Sequence, residues 1–139
     1  SRAFEPLLSV GSDSSAILTL SYLGSDRVVP NYNVMGVAKA ALESTVRYLA
    51  SDLGPKNIRV NALSAGPIKT LSAAGLPGLR TMLSESEHVS PLRRNVTIED
   101  VGSASLYLLS DLSRGTTGET VFVDGGYHTI GTSIRTAEK

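Results

Sequence analysis

Tyr32 and Lys39 stand seven positions apart in the segment PNYNVMGVAK, and a second tyrosine, Tyr22, lies ten residues before the first. A phenol can donate a hydrogen bond or a proton to a carbonyl oxygen that is gaining negative charge. A nearby ammonium favours that chemistry electrostatically and also binds sugar hydroxyls. Placed beside a parallel sheet, the pair suggests hydride transfer. On a helix, seven residues make nearly two turns, so both side chains share a face, with α-carbons roughly 10 Å apart. That spacing suits one ligand lying along the helix start, with Tyr32 at the carbonyl end of a substrate and Lys39 at the ribose of a dinucleotide. Taken alone, the pair reads more often as a buried tyrosine and a surface lysine on an amphipathic helix. The neighbouring features shift that balance.

The loop Ala65-Gly66-Pro67-Ile68-Lys69-Thr70 is one of them. Gly66 permits close backbone approach, Pro67 stiffens the chain, and Thr70 offers a hydroxyl. Such a loop can present main-chain groups to a nicotinamide amide and a hydroxyl to a phosphate. Asp124-Gly125-Gly126 reads as a strand-ending turn, with little weight on a catalytic Asp124. Arg93 and Arg94 read as solvated, or as paired with Glu99 or Asp100, ahead of a site for an acidic carrier. Leu76, Leu79 and Met82 recur at three-residue steps. Core packing is the ordinary cause of such a stripe, and an apolar lid over an acyl chain is the functional one.

These residues need elements to position them. Residues 1–9 read as the tail of a helix. Residues 15–22, SAILTLSY, form an apolar run that suits a strand buried on both faces of a parallel sheet. A strongly helical pattern runs over 33–53, with Asn33 as its cap and Gly54-Pro55 at its end. A second strand covers 57–64. Residues 71–87 read as two short helices with a mobile join, because Gly75, Pro77 and Gly78 interrupt them. Thr97 and Asp100 make a capping-box-like start for a helix running to about Ser110. A third strand, 119–123, stops at the DGG turn, and a loose polar tail starts at Gly131. The order β-α-β-α-α-β predicts an α/β, Rossmann-like doubly wound parallel sheet with helices on both faces. Ligands of such sheets bind beyond the carboxyl ends of the strands, where Tyr22 and the AGPIKT loop both fall.

Composition bounds the rest. With 139 residues, the chain has room for one domain, and at 41% hydrophobic content a packed core is feasible. Thirteen basic residues balance thirteen acidic ones, which argues against nucleic acid or an anionic membrane as partner. The absence of cysteine excludes disulfides and thiolate chemistry, and the distance in sequence between the two histidines, His88 and His128, argues against a histidine metal site. No run is long and apolar enough to span a bilayer, and the first residues lack the features of a signal peptide. The expectation is a cytosolic protein. The start without methionine, inside what reads as a helix, gives the expectation of a further segment upstream.

SYLG, PNYNVMGVAKAALE, IRVNALSAGPIKT and TGETVFVDGG together resemble the carboxyl-terminal half of NADH-dependent enoyl-acyl-carrier-protein reductase. This is the bacterial and plastid enzyme of the short-chain dehydrogenase/reductase superfamily. The resemblance runs from about Leu7 to Gly131, so the whole chain, 1–139, reads as half of one reductase domain with substrate-binding helices at about 71–87. Most of the superfamily carries tyrosine and lysine four positions apart; here position 36 is glycine and the lysine comes at 39.

The resemblance implies reduction of trans-2-enoyl thioesters on acyl carrier protein, with NADH, in type II fatty acid synthesis. It implies that Tyr32 stabilises an enolate, that Tyr22 assists protonation or substrate placement, and that Lys39 binds the nicotinamide ribose. Gly66, Pro67 and Ile68 would meet the nicotinamide, and Thr70, Leu71 and Ser72 would lie near the pyrophosphate. Leu76, Leu79 and Met82 would line the acyl site. It further implies a homotetramer, in the cytoplasm or plastid stroma. The Gly-rich pyrophosphate loop expected of the family's other half is absent from these residues, so the segment alone is expected to bind NADH weakly and to expose sheet edge and apolar helix faces. The alternatives are another short-chain reductase acting on a carbonyl, whose usual Ser and Tyr-x3-Lys pattern is missing, and a non-catalytic fragment or pseudoenzyme.

Overall fold

The computed structural model describes residues 3–8, 10, 14–70 and 78–132. Three strands form one parallel sheet: β1 (Ser15–Tyr22), β2 (Ile58–Ala65) and β3 (Thr120–Val123), in the order β1-β2-β3. Register aligns Tyr22 with Ala65 and Ala65 with Val123. The three carboxyl ends are therefore level, and everything that leaves them emerges along one rim. Among the described residues the helices are α1 (Glu5–Leu8), α2 (Asn33–Leu53), α3 (Leu79–Val89) and α4 (Ile98–Leu109).

The central strand is the core. Ile58, Val60 and Ala62 project from one face of β2 and are nearly inaccessible, packed on Val46, Ala50 and Leu53 of α2. Strand alternation sends the intervening side chains to the other face. There the buried Arg59 reaches the end of α4: Nη1 donates to the Leu108 carbonyl at 2.8 Å and to Ser113 Oγ at 2.7 Å, and Nη2 donates to the Ser110 carbonyl at 3.0 Å. A guanidinium there satisfies carbonyls that the helix leaves orphaned and lies at the negative end of its dipole. Helices thus cover both faces of the sheet. Asn61 completes the junction, donating from Nδ2 to the Thr116 carbonyl at 2.9 Å and accepting the Glu119 N–H at 3.1 Å, which fixes the entry to β3.

Several expectations need adjustment. β1 is only partly covered, and Leu20 is 54% exposed. Among the described residues β1 pairs on one side only, with β2, and a continuous apolar run reads alike at the edge and the centre of a sheet. Asn33 does not cap α2 in the usual way. It lies inside the first turn, where its Oδ1 accepts the N–H of the next residue, Val34, at 2.7 Å, and Tyr32 holds the cap position without a side-chain bond. Only α3 of the two short helices falls within the described residues; Leu71, Ser72 and Leu76 lie outside them, as does the tail from 133 onward. The capping box of α4 is present in both directions, Asp100 N–H to Thr97 Oγ1 at 3.2 Å and Thr97 N–H to Asp100 Oδ2 at 2.9 Å.

Candidate active site

Tyr22 is the last residue of β1, and a single tight turn, Leu23–Ser25, follows it. Tyr32 sits at the mouth of α2, and its ring meets that of Tyr22 edge to face, centroids 5.1 Å apart and planes at 68°. Two glycines allow this contact. A Cβ on Gly24 would lie 2.5 Å from Tyr32 Cδ1, and a Cβ on Gly36 would lie 2.6 Å from the Gly24 carbonyl oxygen. The first turn of α2 is therefore docked on the backbone of the turn after β1. Any side chain at position 36 would meet the Gly24 carbonyl and disturb this docking.

Lys39 lies further along the same face of α2 and donates from Nζ to the Leu20 carbonyl at 2.7 Å. Glu43 follows one turn later. Its Oε1 accepts hydrogen bonds from Ser21 Oγ and, at 2.5 Å, from Ser25 Oγ, while Ser25 Oγ also lies 2.9 Å from the Tyr22 carbonyl oxygen. One carboxylate thus straps the residues on either side of Tyr22 to the helix that carries Tyr32 and Lys39. Sequence reasoning missed Glu43. The available signal was its place four residues after Lys39 on the same face.

Tyr22, Tyr32 and Lys39 line one cavity of about 300 Å³, together with Gly66, Pro67, Ile68, Leu79 and Met82. Eight of the residues singled out by sequence are thus brought together. Thr70 is exposed and lies outside this cavity. Gly66 has a packing role as well: its N–H donates to the Val123 carbonyl at 2.9 Å, and a Cβ there would lie 3.1 Å from the Asp124 Cα. Burial pushes the Tyr22 phenol up to about 12, helped by the nearby phenols of Tyr127 and Tyr32, and burial also raises Tyr32. Both rings are neutral hydrogen-bond donors at physiological pH. Both residues line the same partly desolvated space, where a phenol O–H can donate to a carbonyl oxygen that is gaining negative charge.

The remaining candidates resolve as structural parts. Arg94 pairs with Asp100 at 2.5 Å, Nη1 to Oδ2, and Arg93 donates to the His88 carbonyl. The Arg94 hydrogen bond, with that from the Thr97 N–H, lowers the Asp100 carboxyl to about 2. Asp124 is buried in the turn after β3 and accepts from the N–H groups of Gly126 and His128, both at 2.9 Å. It holds a turn, as expected.

A family model described as enoyl-(acyl carrier protein) reductase matches residues 1–128. An NADH-dependent enoyl-[acyl-carrier-protein] reductase of Rhizobium meliloti is 65% identical over 127 residues, which cover 91% of this chain and 47% of the relative. The Escherichia coli enzyme of that description is 57% identical over 126 residues, again 91% of this chain and 47% of its own length. Among solved structures, the reductase of Anaplasma phagocytophilum in complex with NAD superposes with a TM-score of 0.86 at 58% identity, covering 94% of this chain and 48% of that one. The Bacillus cereus reductase with NADP+ and an indole naphthyridinone gives 0.87 at 55%, covering 93% and 50%. The chain spans about half the length of the curated relatives it matches. Over nearly all of its own length, though, profile, sequence and backbone agree: the chain belongs to the enoyl-(acyl carrier protein) reductase family.

Proposed function

We propose that the polypeptide carrying this segment reduces trans-2-enoyl thioesters presented on acyl carrier protein, with NADH as reductant, in type II fatty acid synthesis in the cytoplasm or plastid stroma. The observation that carries the reading is the convergence of two neutral phenols and the Lys39 ammonium on one cavity, at the level carboxyl ends of a parallel sheet.

The residues present fit a dinucleotide. The bond to the Leu20 carbonyl uses one of the ammonium's donors and leaves others for ribose hydroxyls. Gly66, Pro67 and Ile68 bring a loop backbone to the cavity wall, where amide groups can meet a carboxamide. NADH, when bound, supplies the hydride that adds to C3 of the enoyl group. Tyr32 holds the thioester carbonyl by its O–H and stabilises the enolate that forms as C3 is reduced. Tyr22, fixed against Tyr32, places the substrate or assists protonation at C2. Leu79 and Met82 supply apolar contact near the reacting carbons. Outward apolar residues on α2, among them Val34, Met35 and Val37, support a homotetramer in which this helix meets a neighbouring subunit.

The test uses the full-length polypeptide with NADH and two substrates in parallel, a trans-2-enoyl thioester and a 3-ketoacyl thioester. Oxidation of NADH with the enoyl substrate alone is expected. Oxidation with the ketoacyl substrate alone would move the protein to the carbonyl-reducing branch of the superfamily, and silence with both would favour a scaffold without activity.

A further inference from the structure

A second, larger cavity of about 580 Å³ adjoins the first and shares Tyr22, Val29, Pro30, Asn31, Pro67 and Met82 with it. Tyr32 and Lys39 line only the smaller chamber, and Tyr127 lines only the larger one. Tyr22 stands at the boundary. A substrate whose carbonyl meets Tyr22 and Tyr32 therefore has the larger chamber open to the remainder of its length. Its wall is mixed: Val28, Val29, Met82, Val89 and Ile130 stand beside Arg27, Asn31, Thr81, Glu85 and Ser86, so an apolar chain has side chains to pack on along part of it.

Tyr127 is held more firmly than a residue after a Gly-Gly turn would ordinarily be. The buried Asp124 carboxylate accepts two backbone N–H groups and faces His128 Nδ1 at 3.0 Å from both oxygens. The His128 ring stacks on Phe122, centroids 4.0 Å apart and planes at 14°. Gly125 and Gly126 take φ of 66° and 86°, and a Cβ on Gly126 would lie 2.8 Å from Pro91 Cγ. Arg27 Nη1 donates to the Ile130 carbonyl at 3.1 Å, tying the far end of this segment to the loop after β1. The clamp fixes the backbone on both sides of Tyr127 and leaves its ring at the cavity.

We infer that Tyr127 is a specificity-determining residue: its ring is the wall against which the distal part of an acyl chain packs, and the Asp124–His128 clamp positions it. This rests on the enoyl-thioester reading above. The test compares a four-carbon and a twelve-carbon trans-2-enoyl thioester on the full-length reductase, with Tyr127→Ala, Tyr127→Phe and His128→Ala. Tyr127→Ala should lower kcat/KM for the long substrate about tenfold, mainly through KM, and leave the short one within about twofold. Tyr127→Phe should retain both, since the inference assigns the contact to the ring; a loss on both substrates would instead tie the hydroxyl to the neighbouring Tyr22 phenol. His128→Ala should show a weaker loss of the same chain-length dependence. Equal losses on both substrates would assign Tyr127 to the reacting end or to the carrier's arm and overturn the inference, as would no loss on either. Silence of the unmodified enzyme with both substrates would instead defeat the enoyl-reductase reading.

Discussion

At the scale of single residues, the surroundings of two phenols set their protonation. Tyr22 is held protonated chiefly by burial, which raises it to about 12. Above pH 10 the unfolded chain loses this proton while the folded one keeps it, so the contribution is fully present below 10 and is lost as pH rises through about 12. An ultraviolet phenolate titration should show the Tyr22 phenol ionising near pH 12, with that of Tyr32 also delayed, and Tyr22→Phe should remove the step near 12. Glu43 makes a different prediction. Both serine hydroxyls bond one carboxylate oxygen, and an amide carbonyl can accept in its place. Glu43→Gln should keep most of the turnover, whereas Glu43→Ala should lower kcat by about tenfold or more with little change in NADH affinity, since small misplacement of reacting groups is costly. Steady-state kinetics with thermal melts as control would check this; equal behaviour of the two variants would argue against a positioning role. That Tyr22, Tyr32 and Lys39 come together at one cavity was legible, because their types and spacing drew attention to them. Glu43 and Tyr127 were not, because their partners lie far away in sequence and only the sheet's level rim brings them near.

At the scale of elements, the docking of α2 on the turn after β1 decides the tyrosine geometry. Glycine inside a helix ordinarily costs about 1 kcal/mol relative to alanine. Gly36→Ala should therefore stabilise α2 if only the helix mattered. With the Gly24 carbonyl 2.6 Å from the new Cβ, the opposite is expected: a lower melting temperature and a loss of turnover larger than the loss of folded protein. A rise in melting temperature with activity intact would show that the helix start is free of the turn. The strands and long helices were readable to within a residue or two, since period and breakers agreed: Gly54-Pro55 ends α2 through a short turn, and DGG ends β3. The burial of β1 was not readable, because edge and centre differ in neighbours, which a local pattern does not contain. Asn33 was misplaced as a cap because a capping residue type and the tyrosine that actually precedes the helix stand side by side.

At the scale of the whole molecule, the described residues leave much apolar surface outside. Val34, Met35, Val37 and Tyr48 on α2 and Leu106, Tyr107 and Leu109 on α4 are exposed, and β1 has a partner on one side only. Surfaces of this kind are covered in stable proteins or associate. The segment prepared alone should self-associate, and sedimentation over a range of concentrations should show mass rising with concentration. A stable monomer that turns over substrate would contradict that expectation. The balanced charge of the chain gives little electrostatic repulsion against such association.

The central claim is that Tyr32, in the cavity it shares with Tyr22 and Lys39, stabilises negative charge on a thioester oxygen as the enoyl group is reduced. The most direct measurement is the single-turnover rate of NADH oxidation by a trans-2-enoyl thioester in the full-length polypeptide, with Tyr32 intact and with Tyr32→Phe. The account predicts a rate lower by roughly a hundredfold to a thousandfold in the variant, the loss found when one donor to a developing oxyanion is removed, with NADH affinity and melting temperature unchanged. An undiminished rate in a folded Tyr32→Phe protein would contradict it.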